Sequence, residues 1–275
     1  TPTRRWRAAA AAAAAVAVLA ACGQAESTPP AWREPEAAPT TASPTAAEPV
    51  ELRLVFAGDV HFTGRTLPLL DDPETAFGDI AATLRDGDLT MLNLETAVTE
   101  RGTPQPKRYH FRAPATAFDA LRAAGVDAVS IANNHTLDYG QIGLLDTLDA
   151  AREADFPVFG AGRDVDEAYA PWITEVRGVR VAVLGMSQVH DLAEQWKATA
   201  ERPGIAMAFD TKRATAAVAA ARQQADLVIV FMHWGIEGNS CPSGEMKTFA
   251  RKLSEAGADI VVGTHAHTLL GDGWL

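Results

Sequence analysis

The sequence ADIVVGTHAHT, residues Ala258 to Thr268, decides the fold because an apolar strand and a pair of histidines meet in it. Its apolar half is β-branched at successive positions, which is typical of a strand covered on both faces. Five other runs share this character, and they cover Leu52–Ala57, Leu89–Asn93, Val126–Ala132, Val179–Met186 and Asp226–His233. The sequence therefore predicts a set of strands buried within one domain.

Amphipathic stretches separate several of these strands and predict helices. They cover Ala115–Gly125, Gln141–Ala154, Thr211–Ala225 and Glu245–Gly257, and two of them close on a glycine. Repeated strand, helix and strand units predict an α/β fold with helices flanking layered, largely parallel or mixed sheets. In such folds functional sites form beyond the carboxyl ends of the strands.

The first 21 residues have the features of a bacterial lipoprotein signal peptide. A basic start at residues 4–7 precedes the apolar stretch Ala8–Ala21, and the sequence Leu19–Cys22 is similar to a lipobox, so we expect Cys22 to carry a lipid. A membrane-spanning helix is the alternative, but the run is shorter than the ~20 residues that a bilayer requires. We therefore expect a lipid anchor on the extracellular face of the bacterial cell membrane.

The composition divides the rest of the chain into a tether and a domain. Residues 22–50 are rich in Pro, Ala, Thr and Glu, which predicts a disordered tether, and the domain then covers residues 51–275. The net charge of −11 argues against nucleic acid as a partner, since binding it requires a basic face. With Cys22 lipidated, Cys241 has no internal partner and no disulfide is expected.

Polar residues of the kinds that bind metals follow five of the predicted strands. They are Asp59 and His61, Asn93 and Glu95, Asn133, Asn134, His135 and Asp138, His233 and Glu237, and His265 and His267. Each one alone could be a turn former or a packed histidine. Five of the seven histidines fall at these positions, however, so we predict a metal or catalytic site at this edge of the sheet.

Seven of these side chains form a donor set of nitrogen and oxygen without thiolate: Asp59, His61, Glu95, Asn134, His233, His265 and His267. Such a set suits Mn²⁺, Fe or Zn²⁺ better than a structural zinc site. Because one tetrahedral ion needs fewer donors, two divalent ions bridged by a carboxylate are expected. Residues two apart in an extended segment face the same way, so His265 and His267 should reach adjacent ions.

Six stretches of the domain resemble the CapA family of bacterial capsule proteins, named for poly-γ-glutamate biosynthesis. In family order from Leu54 to Thr268 they are FAGDVHFTGR, LNLETAVT, SIANNHTLDYG, VAVLGMS, VFMHWGIE and DIVVGTHAHT. The family domain is similar to the calcineurin-like metallophosphoesterases, so the resemblance implies a metallophosphoesterase-like fold. Family domains continue beyond the last of these motifs, which implies that this sequence is truncated at its C-terminal end.

The resemblance also implies individual roles. It divides the ligands between two ions, with Asp59, His61 and His267 on one, and Asn134, His233 and His265 on the other. Glu95 would bridge the ions, where the phosphoesterases use an aspartate. His135 would act as general acid or transition-state partner, and Asp138 would orient it.

The loop PKRYHFRAP, residues Pro106 to Pro114, carries the densest basic cluster of the domain. These cations could steer a carboxylate or phosphate toward the ions. A solvated loop with ordinary surface charges is the alternative. The residues expected to bind substrate are Lys107, Arg108, Arg112, Asn133 and Glu237.

Three functions follow as hypotheses. The first is a CapA-like lipoprotein that uses two metal ions in the synthesis, release or anchoring of poly-γ-glutamate or a similar anionic capsule polymer, with membrane-bound synthase components as partners. The second is a metal-dependent phosphoesterase acting on a small or lipid-linked phosphate. The third is a non-catalytic lipoprotein that holds a polymer or a partner through its metals. Metal-dependent hydrolysis is favoured over the non-catalytic role.

Overall fold

The computed structural model describes residues 50–274 of the chain. The predicted signal peptide, the lipidation site Cys22 and the predicted tether up to residue 49 lie outside the described residues. Among the residues it does describe, no helix has the length and apolar character needed to cross a membrane.

Two four-stranded sheets form the centre of the described chain. The strands are β1 (Leu54–Val60), β2 (Leu89–Leu94), β3 (Ala97–Val98), β4 (Arg112–Ala113), β5 (Ala128–Ser130), β6 (Val158–Phe159), β7 (Ala161–Gly162), β8 (Trp172–Val176), β9 (Val179–Ser187), β10 (Gly204–Ile205), β11 (Leu227–His233) and β12 (Ile260–Thr264). The helices are α1 (Ile80–Leu84), α2 (Thr116–Ala123), α3 (Gly140–Glu153), α4 (Val165–Tyr169), α5 (Ala193–Trp196), α6 (Thr211–Arg222) and α7 (Gly244–Glu255), and 3₁₀ turns cover Gly64–Asp71 and Pro73–Thr75.

Both sheets are mainly parallel. The first sheet has the strand order β1-β2-β5-β6 and is parallel throughout. The second has the order β12-β11-β9-β8, in which only the β8–β9 pair is antiparallel. The short strands form two further pairs, β3 with β4 and β7 with β10. The predicted α/β class, with largely parallel sheets flanked by helices, is confirmed.

The two sheets pack face to face and leave their outer faces to the helices. Met91 of β2 and Phe231 of β11 lie in one buried cluster between the sheets, where the rings of Phe56 and Phe231 are 5.9 Å apart. The alternate residues of the same strands point outward. They pack against α2 and α3 on the first sheet and against α6 and α7 on the second. The result is a four-layer arrangement of helices, two sheets and helices.

A β-bulge turns the end of β1 toward the space between the sheets. Phe56 pairs with Met91, but the next pair is Asp59 with Asn93, so β1 contains one more residue here than β2. One extra residue reverses the faces of all the side chains that follow it. Val55 and Val60 accordingly both pack on the helix side, although a regular strand would place them on opposite faces. Asp59 therefore faces the second sheet.

Candidate metal centre

The carboxyl ends of β1, β2, β11 and β12 and the residues just after them meet at one edge of the two sheets. Their side chains form two groups of metal-binding types, with ligand atoms inside each group lying within 4.8 Å of one another. One group is Glu95, His233 and His265, and the other is Asp59, Glu95 and His267. Because Glu95 belongs to both, the two groups lie side by side about a shared carboxylate.

Asp59 is oriented by donors from both sheets. Its Oδ1 accepts a hydrogen bond from Asn93 Nδ2 at 2.8 Å, and its Oδ2 accepts one from the backbone N–H of His265 at 2.9 Å. His267 Nε2 lies 3.7 Å from the same Oδ2. Since a carboxylate has about four lone-pair sites, these two bonds fix its plane and leave acceptor capacity for a cation.

Glu95 is buried among three histidines. Its Oε1 lies 3.4 Å from His233 Nε2 and 4.0 Å from His135 Nε2, and its Oε2 lies 3.6 Å from His267 Nε2. Burial alone raises the pKa of this carboxyl, but the approach of His233 and the other two histidines lowers it to about 2. Glu95 is therefore ionised at neutral pH, as a bridging ligand must be.

His233 and His265 present imidazoles in the group that they form with Glu95. Burial lowers the pKa of His265 to about 4, and neighbouring His233 adds to the effect. A neutral ring keeps a lone pair available for a metal ion. His233 Nε2 lies 2.8 Å from Asn134 Oδ1, and its Nδ1 lies 3.0 Å from Thr264 Oγ1. Asn134 is thereby placed next to His233.

The His265–His267 segment is a strained turn, so the expectation of an extended segment was wrong. β12 ends at Thr264, and the following histidines have positive φ angles of 87° at His265 and 53° at His267. Non-glycine residues rarely adopt this region, and such outliers persist only where the surrounding structure holds them. The turn rather than strand alternation brings both rings to the site, with ring centroids 6.1 Å apart.

His135 forms a buried pair with Asp138. Its Nδ1 lies 2.6 Å from Asp138 Oδ2, and its Nε2 faces Glu95. The backbone N–H of Phe111 donates to the same Oδ2 at 2.6 Å, and Lys107 Nζ lies 3.0 Å from Oδ1. A carboxylate placed this way holds the ring with its proton on Nδ1, which leaves Nε2 turned toward the site.

The donor set and its unpaired atoms fit divalent metal ions. Glu95 Oε1 and His265 Nδ1 are buried and have no hydrogen-bond partner of normal geometry. Buried polar atoms are nearly always satisfied, so unpaired ones at a cluster of ligands indicate a missing partner. Carboxylates and imidazoles without thiolate are suited to Mn²⁺, Fe or Zn²⁺.

Comparison with known proteins identifies the family. Residues 53–274 match the family described as bacterial capsule synthesis protein PGA_cap. The chain belongs to this family. The resemblance to CapA seen in the sequence motifs is thereby confirmed for nearly all of the described PGA_cap domain.

Several relatives of this PGA_cap chain have functions in their names. The chain is 32% identical to the capsule biosynthesis protein CapA of Bacillus anthracis, over 80% of this chain and 55% of that protein. It is 30% identical to the PGA biosynthesis protein CapA of Bacillus subtilis, over 78% and 57%. A probable polyglutamine synthesis accessory protein of Mycobacterium tuberculosis is 32% identical over 73% and 56%. The chain thus spans about half the length of these relatives.

Solved structures with a related arrangement were also found. A putative 5′-nucleotidase from Staphylococcus aureus aligns with a TM-score of 0.48 and 19% identity, covering 80% of this chain and 46% of that one. A hypothetical protein from Thermus thermophilus aligns with a TM-score of 0.45 and 21% identity, covering 79% and 69%.

His61 of the PGA_cap domain lies beside the two ligand groups and belongs to neither. Its Nδ1 accepts a hydrogen bond from the backbone N–H of Thr63 at 3.3 Å, and its ring stacks on Phe111 at 4.5 Å. Phe111 stacks on His135 at 3.8 Å with its other face. Burial lowers the pKa of His61. Its metal-binding role stays a prediction, and Phe111 fixes its ring relative to His135.

The residues expected to bind substrate lie at different depths. Asn133 is fully buried, and its Nδ2 donates to Asn93 Oδ1 at 3.1 Å. Lys107 points inward at Asp138. Arg108 and Glu237 are exposed. Arg112 is half-buried, and its guanidinium lies 3.5 Å from the centroid of the Tyr139 ring. Substrate binding by these residues stays a prediction.

Sequence reasoning assigned no role to three residues that support the site. Phe111 separates His61 from His135, Thr264 contacts His233, and Asp191 Oδ2 accepts a hydrogen bond from Asn134 Nδ2 at 3.4 Å. The strand-end rule could have indicated Asp191, because it follows β9 by only a few residues. Nothing local marks Thr264 or Phe111, whose partners lie far away in the sequence.

A cleft of about 740 Å³ opens beside the strand end that carries His233. Gln188 and Gly235 line it, and the backbone N–H of Gln188 donates to the carbonyl of His233 at 2.9 Å. The tilted rings of His190 and Phe209, with centroids 4.5 Å apart, form part of its wall. The residues of the two ligand groups do not line this cleft.

Proposed function

We propose that this PGA_cap protein is a lipid-anchored capsule protein of the cell surface that holds two divalent metal ions and acts on poly-γ-glutamate or a similar anionic polymer in its synthesis, release or anchoring. The named functions of the Bacillus relatives support the polymer. Since those proteins are nearly twice as long as the part that this chain matches, the activity of the whole protein is part of the proposal.

The observation that carries the two-metal site is the sharing of Glu95 by the two ligand groups. One ion would be held by Asp59, His61 and His267, and the other by Asn134, His233 and His265, with Glu95 between them. A shared carboxylate is the usual bridge in two-metal hydrolases. Its negative charge would also offset part of the repulsion between the two cations.

The chemistry proposed for the site combines electrophilic activation with proton transfer. Divalent ions held there would act as Lewis acids on a carbonyl or phosphoryl oxygen of the substrate. His135 would hold or deliver a proton at Nε2, the atom that faces Glu95. Asp138 would keep the neutral ring protonated at Nδ1 through the contact of 2.6 Å, so that Nε2 is the atom that takes up and releases a proton.

The charge of the protein limits where an anionic polymer can bind. The chain has a net charge of −11, so a polyanion is repelled from most of its surface. Metal ions and the exposed cations of the loop that carries Arg108 would supply the local positive charge. We therefore propose that polymer contact depends on the ions.

Metal analysis of the full-length protein tests the proposal. After chelation and reloading with Mn²⁺, we expect about two ions per wild-type chain and about one or none for His267→Ala. His190→Ala is the matched control, because His190 is exposed and belongs to neither ligand group. A wild-type protein that binds no ion with any of Mn²⁺, Fe²⁺ or Zn²⁺ would end the two-metal proposal.

A phosphoesterase is the second candidate, favoured by the group in which Asp59 and Glu95 lie with His267. Pairs of metal ions held by such ligands also stabilise the attacking and leaving oxygens of phosphoryl transfer. Turnover of an aryl phosphate ester by the metal-loaded protein, lost in His135→Gln, would support this role. Release or shortening of poly-γ-glutamate without any phosphate release would favour the polymer role.

A further inference from the structure

We propose that Lys107 is a positioning residue that fixes the Asp138 carboxylate and the Asn134 backbone, and through them the His135 ring and the Asn134 amide. This role differs from the substrate contact expected of the basic loop. Only the expected effect of Lys107 on metal affinity rests on the proposed two-metal function.

The ammonium of Lys107 is turned into the protein. The side chain is only 9% exposed, and Nζ lies 3.0 Å from Asp138 Oδ1. Nζ also donates a hydrogen bond to the backbone carbonyl of Asn134. The ring of Trp196 lies on another side, with its centroid 5.0 Å from Nζ. All of these contacts are within the protein, which leaves little of the charge for a ligand outside.

Asp138 needs this cation because it is fully buried. Its Oδ2 already receives His135 Nδ1 and the backbone N–H of Phe111, both at 2.6 Å. Lys107 lies beside the other oxygen at ion-pair distance, without the geometry of a hydrogen bond. A buried carboxylate that loses its counter-charge is strongly disfavoured, so removal of Lys107 would turn or displace the group. The His135 ring would then lose its fixed partner.

Asn134 is held at both of its polar ends. Lys107 binds its backbone carbonyl, while its side-chain Oδ1 lies 2.8 Å from His233 Nε2 and its Nδ2 bonds to Asp191. Partners that orient a metal ligand typically change affinity when they are removed. The ammonium group of Lys107 thus contacts both Asp138, the partner of His135, and Asn134, a candidate metal ligand.

Hydrogen exchange in metal-free protein tests the positioning directly. The variant is Lys107→Met, which keeps the apolar stem, and the control is Lys197→Met, which removes a 43% exposed lysine paired with Glu194. The imidazole Nδ1–H signal of His135, assigned by its loss in His135→Gln, is followed by NMR. In Lys107→Met we expect it to exchange with water about tenfold faster or more, because its acceptor is no longer fixed. In Lys197→Met it should match the wild type.

Mn²⁺ titration of the same full-length proteins tests the consequence for binding. Lys107→Met should weaken at least one Mn²⁺ affinity by about 10- to 100-fold, and Lys197→Met should leave both unchanged. If the wild type binds no metal, the two-metal function fails, while the exchange measurement still decides the role of Lys107. Unchanged exchange of the His135 proton in Lys107→Met overturns the proposal. If the wild type binds Mn²⁺, an unchanged Mn²⁺ affinity in Lys107→Met overturns it as well.

A folding defect in Lys107→Met is also informative. Adding Asp138→Asn removes the buried charge that the first change leaves unpaired. A double variant that folds supports the pairing of Lys107 with Asp138. A double variant that remains unfolded contradicts it, because the defect then has another cause.

Discussion

The candidate site is built from two halves that are held in different ways. The amide half comes from the first sheet and comprises Asp59, Asn93, Glu95, Asn133 and Asn134. The histidine half comes from the second sheet and comprises His233, His265 and His267. In the amide half, side chains bond to one another, as Asn133 does to Asn93 and Asn93 to Asp59. Each half has a buried unpaired atom, Glu95 Oε1 or His265 Nδ1, but only the histidine half has residues with positive φ, His265 and His267.

This difference shows which part of the site folding alone can build. A connected hydrogen-bond network of buried groups specifies one arrangement without any ligand. The His265–His267 turn is instead strained, and His267 is 47% exposed at its side chain. A bound ion would supply the attraction that this turn lacks. We infer that the amide half is preorganised and that the histidine half is completed by metal.

The largest expected effect comes from removing the charge that joins the halves. Glu95→Gln keeps the size of the side chain but deprives both ligand groups of their common carboxylate. We expect Mn²⁺ affinity to fall by about 100-fold or more. The stabilisation against unfolding by Mn²⁺ is about 2.7 kcal/mol at 100 times the wild-type Kd, and at the same concentration it should fall to about 0.4 kcal/mol or less. Calorimetric titration and unfolding with and without Mn²⁺ measure both.

The exposed Glu237 provides the control for this change, as Glu237→Gln removes the same charge outside the two groups. Its Mn²⁺ binding should equal that of the wild type. Two ions retained by Glu95→Gln would mean that the halves do not share a ligand.

The next effect concerns the preorganised half alone. Asn133→Ala removes an amide that donates to the carbonyl of Leu94 at 2.8 Å and accepts from the backbone N–H of His135 at 3.0 Å. Leaving these buried groups unpaired should lower the free energy of unfolding by about 2–4 kcal/mol. Urea denaturation of metal-free protein measures it.

Asn239→Ala is the matched control, because Asn239 is exposed and caps only the N–H of Cys241. Its loss of stability should stay below about 1 kcal/mol. Equal effects of the two changes would show that the amide half is not held by its hydrogen bonds.

The layers and the ligand types of this site are visible in the sequence, since they depend on local patterns. Continuous apolar runs mark β1, β2, β5, β9, β11 and β12, and amphipathic stretches mark α2, α3, α6 and α7. The rule that sites form at the carboxyl ends of parallel strands then places Glu95 with His233, which lie far apart in the chain.

The features that the sequence does not reveal depend on partners distant along the chain. The bulge that turns Asp59 toward the second sheet depends on pairing with β2. The inward direction of Lys107 depends on Asp138 and Trp196, whereas the basic loop by itself suggests a substrate contact. The edge strand β8 alternates between half-buried and exposed positions, but its residue types do not follow this alternation, since Ile173 is exposed and Thr174 is half-buried. Local patterns carry none of this information.

The smallest effect isolates the strain in the histidine half. His267→Gly and His267→Ala remove the same imidazole, so both should lose the same metal ion. They differ in the backbone, because the φ of 53° at this position is unfavourable for alanine and free for glycine. In metal-free protein we expect His267→Gly to be more stable than His267→Ala by about 1 kcal/mol. The control compares Lys197→Gly with Lys197→Ala, at a position where φ is −62°. There the alanine variant should be the more stable one, since glycine only adds conformational freedom to the unfolded chain. Equal stability of the two His267 variants would mean that the turn stores no strain and that the histidine half is as relaxed as the amide half.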